Sequence, residues 1–210
     1  MTGLFVVFEG ADGTGKSTQV SAVSAALRAA GRDVVVTREP GGSVVAEKLR
    51  SLVLDPAHEI TPITEALIFA AARADHIDKT IAPALAVGQI VISDRFVGSS
   101  IAYQSAGRGL NQETIVRINA YATNGLTPDV TVVLDLDESV AGRRRVERAE
   151  LTDRMESAPE GFQDAVRASF LAQAQAAPER HLVVDAAQTP EAITDQIVTH
   201  LSTKYGVSAS

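Results

Sequence analysis

The sequence predicts an α/β fold, doubly wound, in which helices cover both faces of a parallel β-sheet. Three observations lead to this prediction. Short apolar runs alternate with segments of helical periodicity along the whole chain. Most of these runs are nearly continuous in Val, Ile, Leu or Phe, which is typical of strands buried on both faces. The first run is followed by a glycine-rich loop and a helical period. We therefore expect right-handed crossovers, and ligands bound beyond the carboxyl ends of the strands.

The strands are taken in chain order from the apolar runs. Each run is short, and the segments between consecutive runs are long enough to contain crossover helices. The predicted strands are Leu4–Glu9, Asp33–Arg38, Gln89–Asp94, Asp129–Asp135 and His181–Asp185.

The helices are predicted from apolar spacing and from capping residues. The first repeats Val20, Val23 and Leu27 at helical spacing, and Gly31 is a natural C-cap. Thr-Pro pairs, which are typical of an N-cap followed by the first helical position, open two others. These begin at Thr61-Pro62, with an alanine-rich helix to about Ala82 (Ala66, Ala70 and Ala74 included), and at Thr189-Pro190. Asp137 is a candidate cap for a helix that runs into the arginines from position 143 onward.

Composition bounds the class of protein. With 210 residues, of which 45% are hydrophobic and 21% charged, we expect one globular domain spanning 1–210. The chain has no cysteine, which excludes disulfides and thiolate metal sites. The net charge, 19 − 26 = −7, disfavours a general nucleic-acid binder. No apolar stretch is long enough to span a membrane. We expect a cytoplasmic protein with no nucleic-acid or membrane partner.

The loop after the first strand fits the pattern G-x-x-x-x-G-K-[ST] at every fixed position. Its glycines let backbone N–H groups turn toward phosphate oxygens, and the following helix directs its positive end at the same place. Lys16 would place a charge on the β- and γ-phosphates, and the Ser17 hydroxyl would bind Mg²⁺. The phosphate-binding residues predicted are Gly10, Ala11, Asp12, Gly13, Thr14, Gly15, Lys16, Ser17 and Thr18.

A phosphate loop alone does not distinguish a kinase from a switch protein or an ATPase. GTPases typically carry Asn-Lys-x-Asp, and none of the asparagines here precedes a lysine. They also carry Asp-x-x-Gly, whereas Asp94 is followed by Arg95, Phe96 and Val97. A kinase needs cations that close over the transferred phosphoryl group, and five arginines lie between positions 143 and 154. A solvated helix face is the alternative interpretation of that cluster.

Several spaced motifs, from Phe5 to about Leu201, together resemble the bacterial thymidylate kinase family. They are the phosphate loop with its internal Asp12, the segment Thr37–Gly42 after the second strand, and the pair Phe69 and Arg73. Further motifs are Asp94-Arg95-Phe96, Ser99-Ser100 with Tyr103-Gln104, and the lid-like segment Arg143–Glu156, where R-x-x-x-R and D-R-x-E are matched. The family more often has tyrosine where Phe96 stands, and Thr152 is one residue more than the family spacing.

The resemblance implies a P-loop kinase fold with strand order 2-3-1-4-5 and a short mobile lid at about 143–158. It also implies transfer of a phosphoryl group from ATP to dTMP, with Mg²⁺, in a homodimer. Another nucleotide or nucleoside kinase of this fold is the runner-up, followed by a P-loop ATPase or switch protein.

The resemblance also assigns site residues. Asp12 would contact the acceptor's sugar hydroxyl, Arg38 and Arg95 its phosphate, and Tyr103 the 2′-carbon. Phe69 would stack on thymine, Arg73 would bind a base carbonyl, and Asp94 would lie near Mg²⁺ with Ser17. For Phe69 a place in the core, and for Arg38 an ion pair at the loop end, remain alternatives. The catalytic set is Lys16, Arg95, Arg144, Arg148 and Arg154, and the dTMP set is Asp12, Arg38, Phe69, Arg73, Arg95, Ser99, Ser100, Tyr103 and Gln104.

Overall fold

Five parallel strands form one sheet in the order β2-β3-β1-β4-β5, which confirms the predicted order. The computed structural model describes residues 3–147 and 161–207, with only the backbone described for 145–147. All five strands begin and end within one residue of the predicted bounds, because each is a short apolar run bounded by polar residues. The strands are β1 Leu4–Glu9, β2 Val34–Arg38, β3 Ile90–Asp94, β4 Val130–Asp135 and β5 His181–Asp185.

Helices connect consecutive strands and cover both faces of the sheet. Two π-helical segments (Ile77–Ile81 and Ile101–Gly107) and a 3₁₀ turn (Pro178–Arg180) interrupt or follow them. The helices are α1 Lys16–Ala29, α2 Val44–Leu54, α3 Pro62–His76, α4 Ala82–Ala86, α5 Val97–Ser100, α6 Gln112–Thr123, α7 Glu138–Glu147, α8 Phe162–Ala176 and α9 Pro190–Tyr205. No helix within these described stretches is long and apolar enough to cross a membrane.

Alternation along β1 divides the core between the two faces. Val6 and Phe8 pack in a cluster with the buried residues of α1 and α9. Phe5 and Val7 turn to the other face and pack with Phe96 and the residues around α4. Successive side chains of a strand point to opposite faces, so an uninterrupted apolar run fills both layers. The core thereby holds the carboxyl ends of β1 and β3 in register, with Phe8 beside Asp94.

The helix boundaries agree with the capping signals, with one difference in detail. Gly31 has a φ of +75° and follows α1, where its N–H bonds the Arg28 carbonyl. Thr189 accepts a hydrogen bond from the Ala192 N–H, as an N-cap should. Thr61 stands at the N-cap of α3, but its hydroxyl bonds the Thr64 hydroxyl instead of a backbone N–H.

The alanine-rich helix is longer and less regular than predicted. The α-helical geometry of α3 ends at His76. The chain then forms a π-helix over Ile77–Ile81 and returns to α-helix in α4, which ends at Ala86. The predicted end near Ala82 was therefore short by four residues. Pro83 lies in the first turn of α4, where its missing N–H is tolerated, so it does not end the helix.

Two of the predicted catalytic arginines, Arg148 and Arg154, lie outside the described residues, as does most of the segment predicted to be a lid at 143–158. Asp137 precedes α7, and its carboxylate accepts hydrogen bonds from the N–H and the hydroxyl of Ser139. The helix that leads into the arginine cluster thus begins where the sequence predicts.

Candidate active site

The phosphate loop connects β1 to α1 in a conformation that requires glycine at two of its positions. Gly10 has a φ of +142°, and a Cβ there would lie 2.6 Å from the Leu134 carbonyl oxygen. Gly15 is the N-cap of α1 with a φ of +92°. Both conformations are unfavourable for residues with a Cβ. The loop can therefore direct its backbone N–H groups, together with the positive end of the 14-residue α1, at a bound phosphate.

Lys16, the first residue of α1, folds back over this loop. Its ammonium group donates to the carbonyl oxygens of Gly10 at 3.0 Å and Ala11 at 2.8 Å. The Asp12 carboxylate lies 3.9 Å away. Burial, and then the positive charge of Arg95, lowers the pKa of Lys16 to about 8. The lysine is thus a buried cation whose present partners are neutral carbonyls, which a phosphate oxygen can replace.

Ser17 and Asp94, the two residues predicted to bind Mg²⁺, lie together beside the loop. The Ser17 hydroxyl donates to Oδ2 of Asp94 at 2.9 Å. No group of three or more His, Cys, Asp or Glu side chains able to hold a metal by itself occurs among the described residues. A hydroxyl and one carboxylate fit Mg²⁺, which usually takes its remaining ligands from phosphates and water. Thr18 is exposed on the same turn.

Arg95 follows β3 and lies above the phosphate loop. It has a φ of +75°, a left-handed conformation that costs a non-glycine residue about 1–3 kcal/mol. Its own N–H donates to the Phe8 carbonyl at 2.8 Å, which extends the pairing of β3 with β1 by one residue. The guanidinium donates to Asp12 Oδ1 at 2.5 Å and to Ser99 Oγ at 2.9 Å. Backbone strain at a buried cation is typical of a functional position.

Tyr103 completes this cluster. Its hydroxyl donates to Asp12 Oδ2 at 2.8 Å and accepts a hydrogen bond from Arg95 at 3.0 Å. The Arg95 guanidinium also lies over the tyrosine ring, 4.9 Å from its centroid. Burial raises the pKa of Asp12, but the charges of Arg95 and Lys16 outweigh that effect and lower it to about 2. Asp12 is therefore ionised at neutral pH, and its two oxygens accept hydrogen bonds from Arg95 and Tyr103, unlike those of a solvated turn aspartate.

Glu9 is a site residue that the sequence did not single out. Its fully buried carboxylate accepts hydrogen bonds from the Phe96 N–H, the Ser99 N–H and, at 2.6 Å, the Ser99 hydroxyl. Burial raises its pKa, and the opposing charge of Arg95 and these hydrogen bonds only partly offset that rise. Glu9 thus anchors the backbone that positions Arg95 and Ser99. The available signal was an acidic residue at the carboxyl end of an otherwise apolar strand.

Arg73 on α3 is 2% exposed and lies in a dense polar network. It donates to Glu39 Oε2 at 2.7 Å, to Ser100 Oγ and to the Phe96 carbonyl, each of these two at 3.0 Å. It also bonds the side-chain oxygen of Asn119. A fixed guanidinium of this kind offers a donor in one orientation only.

Glu39 holds this network together. Its second oxygen lies 3.0 Å from Nδ1 of the fully buried His76, whose Nε2 lies 2.7 Å from the Thr37 hydroxyl. Glu39 belongs to the family-like segment after β2, but nothing in the sequence indicated that it pairs with Arg73, 34 positions later.

Phe69 lies one turn before Arg73 on α3 and is partly buried. It packs against the cluster that contains Tyr103 and Phe162. The core and stacking interpretations of Phe69 therefore both fit its environment. Gln104 is 2% exposed, and its side-chain amide nitrogen donates to Glu65 at 3.0 Å.

Two predicted arginines have partners away from these clusters. Arg38, about half exposed, pairs with Glu47 at 2.9 Å, which is the loop-end ion pair that the sequence left open. Arg144, on α7, donates to the Ala186 carbonyl at 3.3 Å, in the turn after β5.

The structure therefore brings the predicted residues into two adjoining groups. One group contains the phosphate loop, Asp94, Arg95, Ser99 and Tyr103. The other contains Phe69, Arg73, Ser100 and Gln104. They meet at Phe96, whose carbonyl binds Arg73 and whose N–H binds Glu9. The arrangement places the phosphate loop and a second cation, Arg95, in one group and the buried polar side chains around Arg73 in the other, with Phe96 joining the two.

Several known proteins are similar to this chain in sequence and in fold. The family model for thymidylate kinase matches residues 8–197. The thymidylate kinase of Bifidobacterium longum subsp. infantis is 49% identical over 207 residues, which is 97% of this chain and 88% of that protein. The thymidylate kinase of Clavibacter michiganensis subsp. michiganensis is 46% identical over 211 residues, with full coverage of both chains. The crystal structure of thymidylate kinase from Ehrlichia chaffeensis superposes with a TM-score of 0.76 at 30% identity, covering 96% of this chain and 99% of that one. The chain belongs to the thymidylate kinase family.

Proposed function

We propose that this protein transfers the γ-phosphoryl group of ATP to dTMP, giving ADP and dTDP. The observation that carries the proposal is the position of Arg95. Its strained backbone fixes the guanidinium against Asp12 of the phosphate loop, and Ser99 and Tyr103 hold it from the side of the base pocket. A cation at that junction suits the phosphate of an acceptor nucleotide more than it suits the water molecule of an ATPase.

The chemistry follows from this placement. An oxygen of the acceptor phosphate attacks the γ-phosphorus, a new P–O bond forms, and the bond to the β,γ-bridging oxygen breaks with its electrons leaving on ADP. The attacking oxygen is largely unprotonated at neutral pH, so no strong general base is required. Catalysis is then positioning and charge neutralisation, without a covalent intermediate on the protein.

Each cation of the chain has a part in that neutralisation. Lys16 exchanges its carbonyl partners for β- and γ-phosphate oxygens, and Arg95 holds the acceptor phosphate as a planar fork. Arg38 would leave Glu47 to bind the same phosphate. Arg144, Arg148 and Arg154 would stabilise charge on the transferring group; of these, Arg144 contacts the Ala186 carbonyl in the turn after β5.

Ser17 and Asp94 would hold Mg²⁺ together with the ATP phosphates. The 2.9 Å hydrogen bond between the two side chains supports this assignment, because it places two hard oxygen ligands next to the loop. The ion would neutralise charge on the β- and γ-phosphates.

We further propose that the protein is a homodimer that functions in the cytoplasm, where dTDP supplies dTTP synthesis. Three helices that pack side by side, α2, α3 and α6, expose large apolar side chains. Two alanines of α3, Ala66 and Ala70, are buried within the protomer and so cannot contribute to such an interface. Sedimentation showing only monomer at micromolar concentration would reject the dimer. The exposed side chains are Val44, Val45, Leu52, Ile63, Leu67, Val116 and Tyr121.

A panel of nucleoside monophosphates offered with Mg·ATP tests the proposed function. We expect dTMP to give the highest kcat/KM, and ADP release to depend on an acceptor. Preference for a purine monophosphate would indicate another kinase of this fold, and equal ADP release with and without dTMP would indicate an ATPase.

A further inference from the structure

Behind the base pocket lies a buried carboxylate, Glu65, in the first turn of α3. Its side chain is 0% exposed. Glu65, Phe69 and Arg73 follow one another at intervals of four residues, so they occupy one face of the helix. Arg73 bonds Ser100, and Glu65 bonds Gln104, which is again four positions further along the opposing segment. Two polar contacts thus join α3 to residues 100–104, with Phe69 between them.

The contact between Glu65 and Gln104 has a defined polarity. Oε1 of Glu65 accepts the hydrogen bond from Nε2 of Gln104 at 3.0 Å. Nε of Arg108 lies 3.5 Å from the same oxygen and supplies the counter-charge that a buried carboxylate requires. A carboxylate can only accept hydrogen bonds, so Glu65 must face the NH₂ group of the Gln104 side-chain amide. Within the described part of the chain no donor bonds the other branch, Oε1 of Gln104.

We propose that Glu65 is a positioning residue that makes Gln104 present a hydrogen-bond acceptor to the base, and that it thereby selects pyrimidines carrying an N3–H over cytosine. This inference rests on the proposed function and on the assignment of Gln104 to the dTMP-binding residues that the family resemblance implies.

The selection follows from hydrogen-bond polarity. Thymine and uracil have a donor at N3 and an acceptor at the 4-oxo group, whereas cytosine has an acceptor at N3 and a donor at the 4-amino group. Arg73 can only donate, so it suits the 4-oxo group. The amide of a free glutamine turns over at little cost and would accept either base. Glu65 removes that choice, because a turned amide would bring two oxygen acceptors together and leave a buried group unpaired.

The variant Glu65→Gln tests this role, because its amide bonds Gln104 in either orientation. We expect the ratio of kcat/KM for dTMP to kcat/KM for dCMP to fall by about tenfold, the effect of one lost hydrogen-bond preference. The ratio for dTMP to dUMP should stay unchanged, since both bases carry N3–H and the 4-oxo group. A purely structural role for Glu65 would lower all three activities in proportion and overturn the proposal.

Arg108→Gln is the matched control. It removes the neighbouring charge but keeps the carboxylate that orients Gln104, so the ratio of dTMP to dCMP should remain within about twofold of wild type. If this control relaxes selectivity as much as Glu65→Gln does, charge balance and not amide orientation sets the preference, and the proposal is wrong.

A measurement on the unaltered protein decides the case in which Glu65→Gln does not fold. A dTMP analogue with a C–H in place of N3–H loses only the donor, and we expect wild-type kcat/KM to fall by about tenfold with it. Equal use of the analogue and dTMP would overturn the proposal. Failure of wild type to phosphorylate dTMP at all would instead refute the proposed function, so the two outcomes are distinguishable.

Discussion

The phosphate end and the base end of this site hold their cations in different ways. At the phosphate end, Lys16 bonds two neutral carbonyls of its own loop, and Arg95 bonds a carboxylate and hydroxyl groups. At the base end, Arg73 is tied to Glu39, Ser100, Asn119 and a backbone carbonyl. Lys16 can therefore exchange its carbonyl partners for a ligand, whereas Arg73 is held in one position.

The difference matches what each ligand group requires. A phosphate brings formal charge, which compensates a cation when the loop carbonyls are released, so partners of low affinity are an advantage there. A base carbonyl brings only a dipole and cannot hold a guanidinium in place. The base end must therefore be ordered beforehand by the protein, and Glu39 supplies that order. Variants at the two ends should consequently affect different measurements.

Lys16→Ala should have the largest effect on catalysis. It removes the cation that replaces the loop carbonyls with phosphate oxygens, and we expect kcat to fall by about 100-fold or more. The variant should fold, because the side chain lies against the loop and crosses no interface. Activity within about threefold of wild type would show that the loop is not the site of phosphoryl transfer.

Arg95→Ala should act on the acceptor more than on ATP. The lost fork removes a charge-assisted contact with the acceptor phosphate, and we expect kcat/KM for dTMP to fall by about 100-fold. Titrating ATP and dTMP separately provides the comparison, since the loop that binds ATP remains. Equal losses of affinity for both nucleotides would move Arg95 out of the acceptor site.

The strands and the position of the phosphate loop could be predicted from the sequence, whereas the hydrogen-bond partners of Glu9 and Arg73 could not. The five apolar runs and the loop at 10–17 are local patterns, and each has a physical reason that a single segment reveals. The bond between Arg73 and Glu39 joins residues 34 positions apart, and the one between Arg73 and Asn119 joins residues 46 apart. Packing of α3 against α6 brings Asn119 to Arg73, and the segment after β2 brings Glu39 there. No periodicity in the sequence encodes either choice of partner.

Glu39→Gln should disrupt the hydrogen-bond network around Arg73 while leaving the phosphate loop and its cations intact. Glu39 and Arg73 are both almost fully buried, and removing one partner of such a pair costs about 3–5 kcal/mol of unfolding free energy. We also expect kcat/KM for dTMP to fall by about tenfold, with little change in ATP affinity. Glu113→Gln is the matched control, because it breaks an Arg–Glu pair whose side chains are 79% and 69% exposed.

Denaturant unfolding compares the two variants directly. The control should change stability by less than about 0.5 kcal/mol. Similar small losses for both variants would mean that the buried pair does not order Arg73 and that the contrast between the two ends fails.

The smallest of the expected effects is a dependence of ATP affinity on pH, caused by the protonation of Lys16. The pKa of Lys16, lowered to about 8 by burial and by Arg95, lies below the usual lysine range. In the ligand-free protein the side chain therefore loses its proton as pH rises through 8, whereas the phosphates of ATP are already ionised there. ATP binding must restore that proton, so ATP affinity should weaken by about three- to tenfold between pH 7 and 9, and binding near pH 8.5 should take up protons.

Calorimetry in buffers of different ionisation enthalpy measures both the ATP affinity and the number of protons taken up on binding. Lys16→Ala should lack the dependence, which separates it from titration of the α-amino group near the same pH. An affinity that stays level to pH 9 in wild type, or a slope that survives in Lys16→Ala, would show that the lysine is not the exchanging cation.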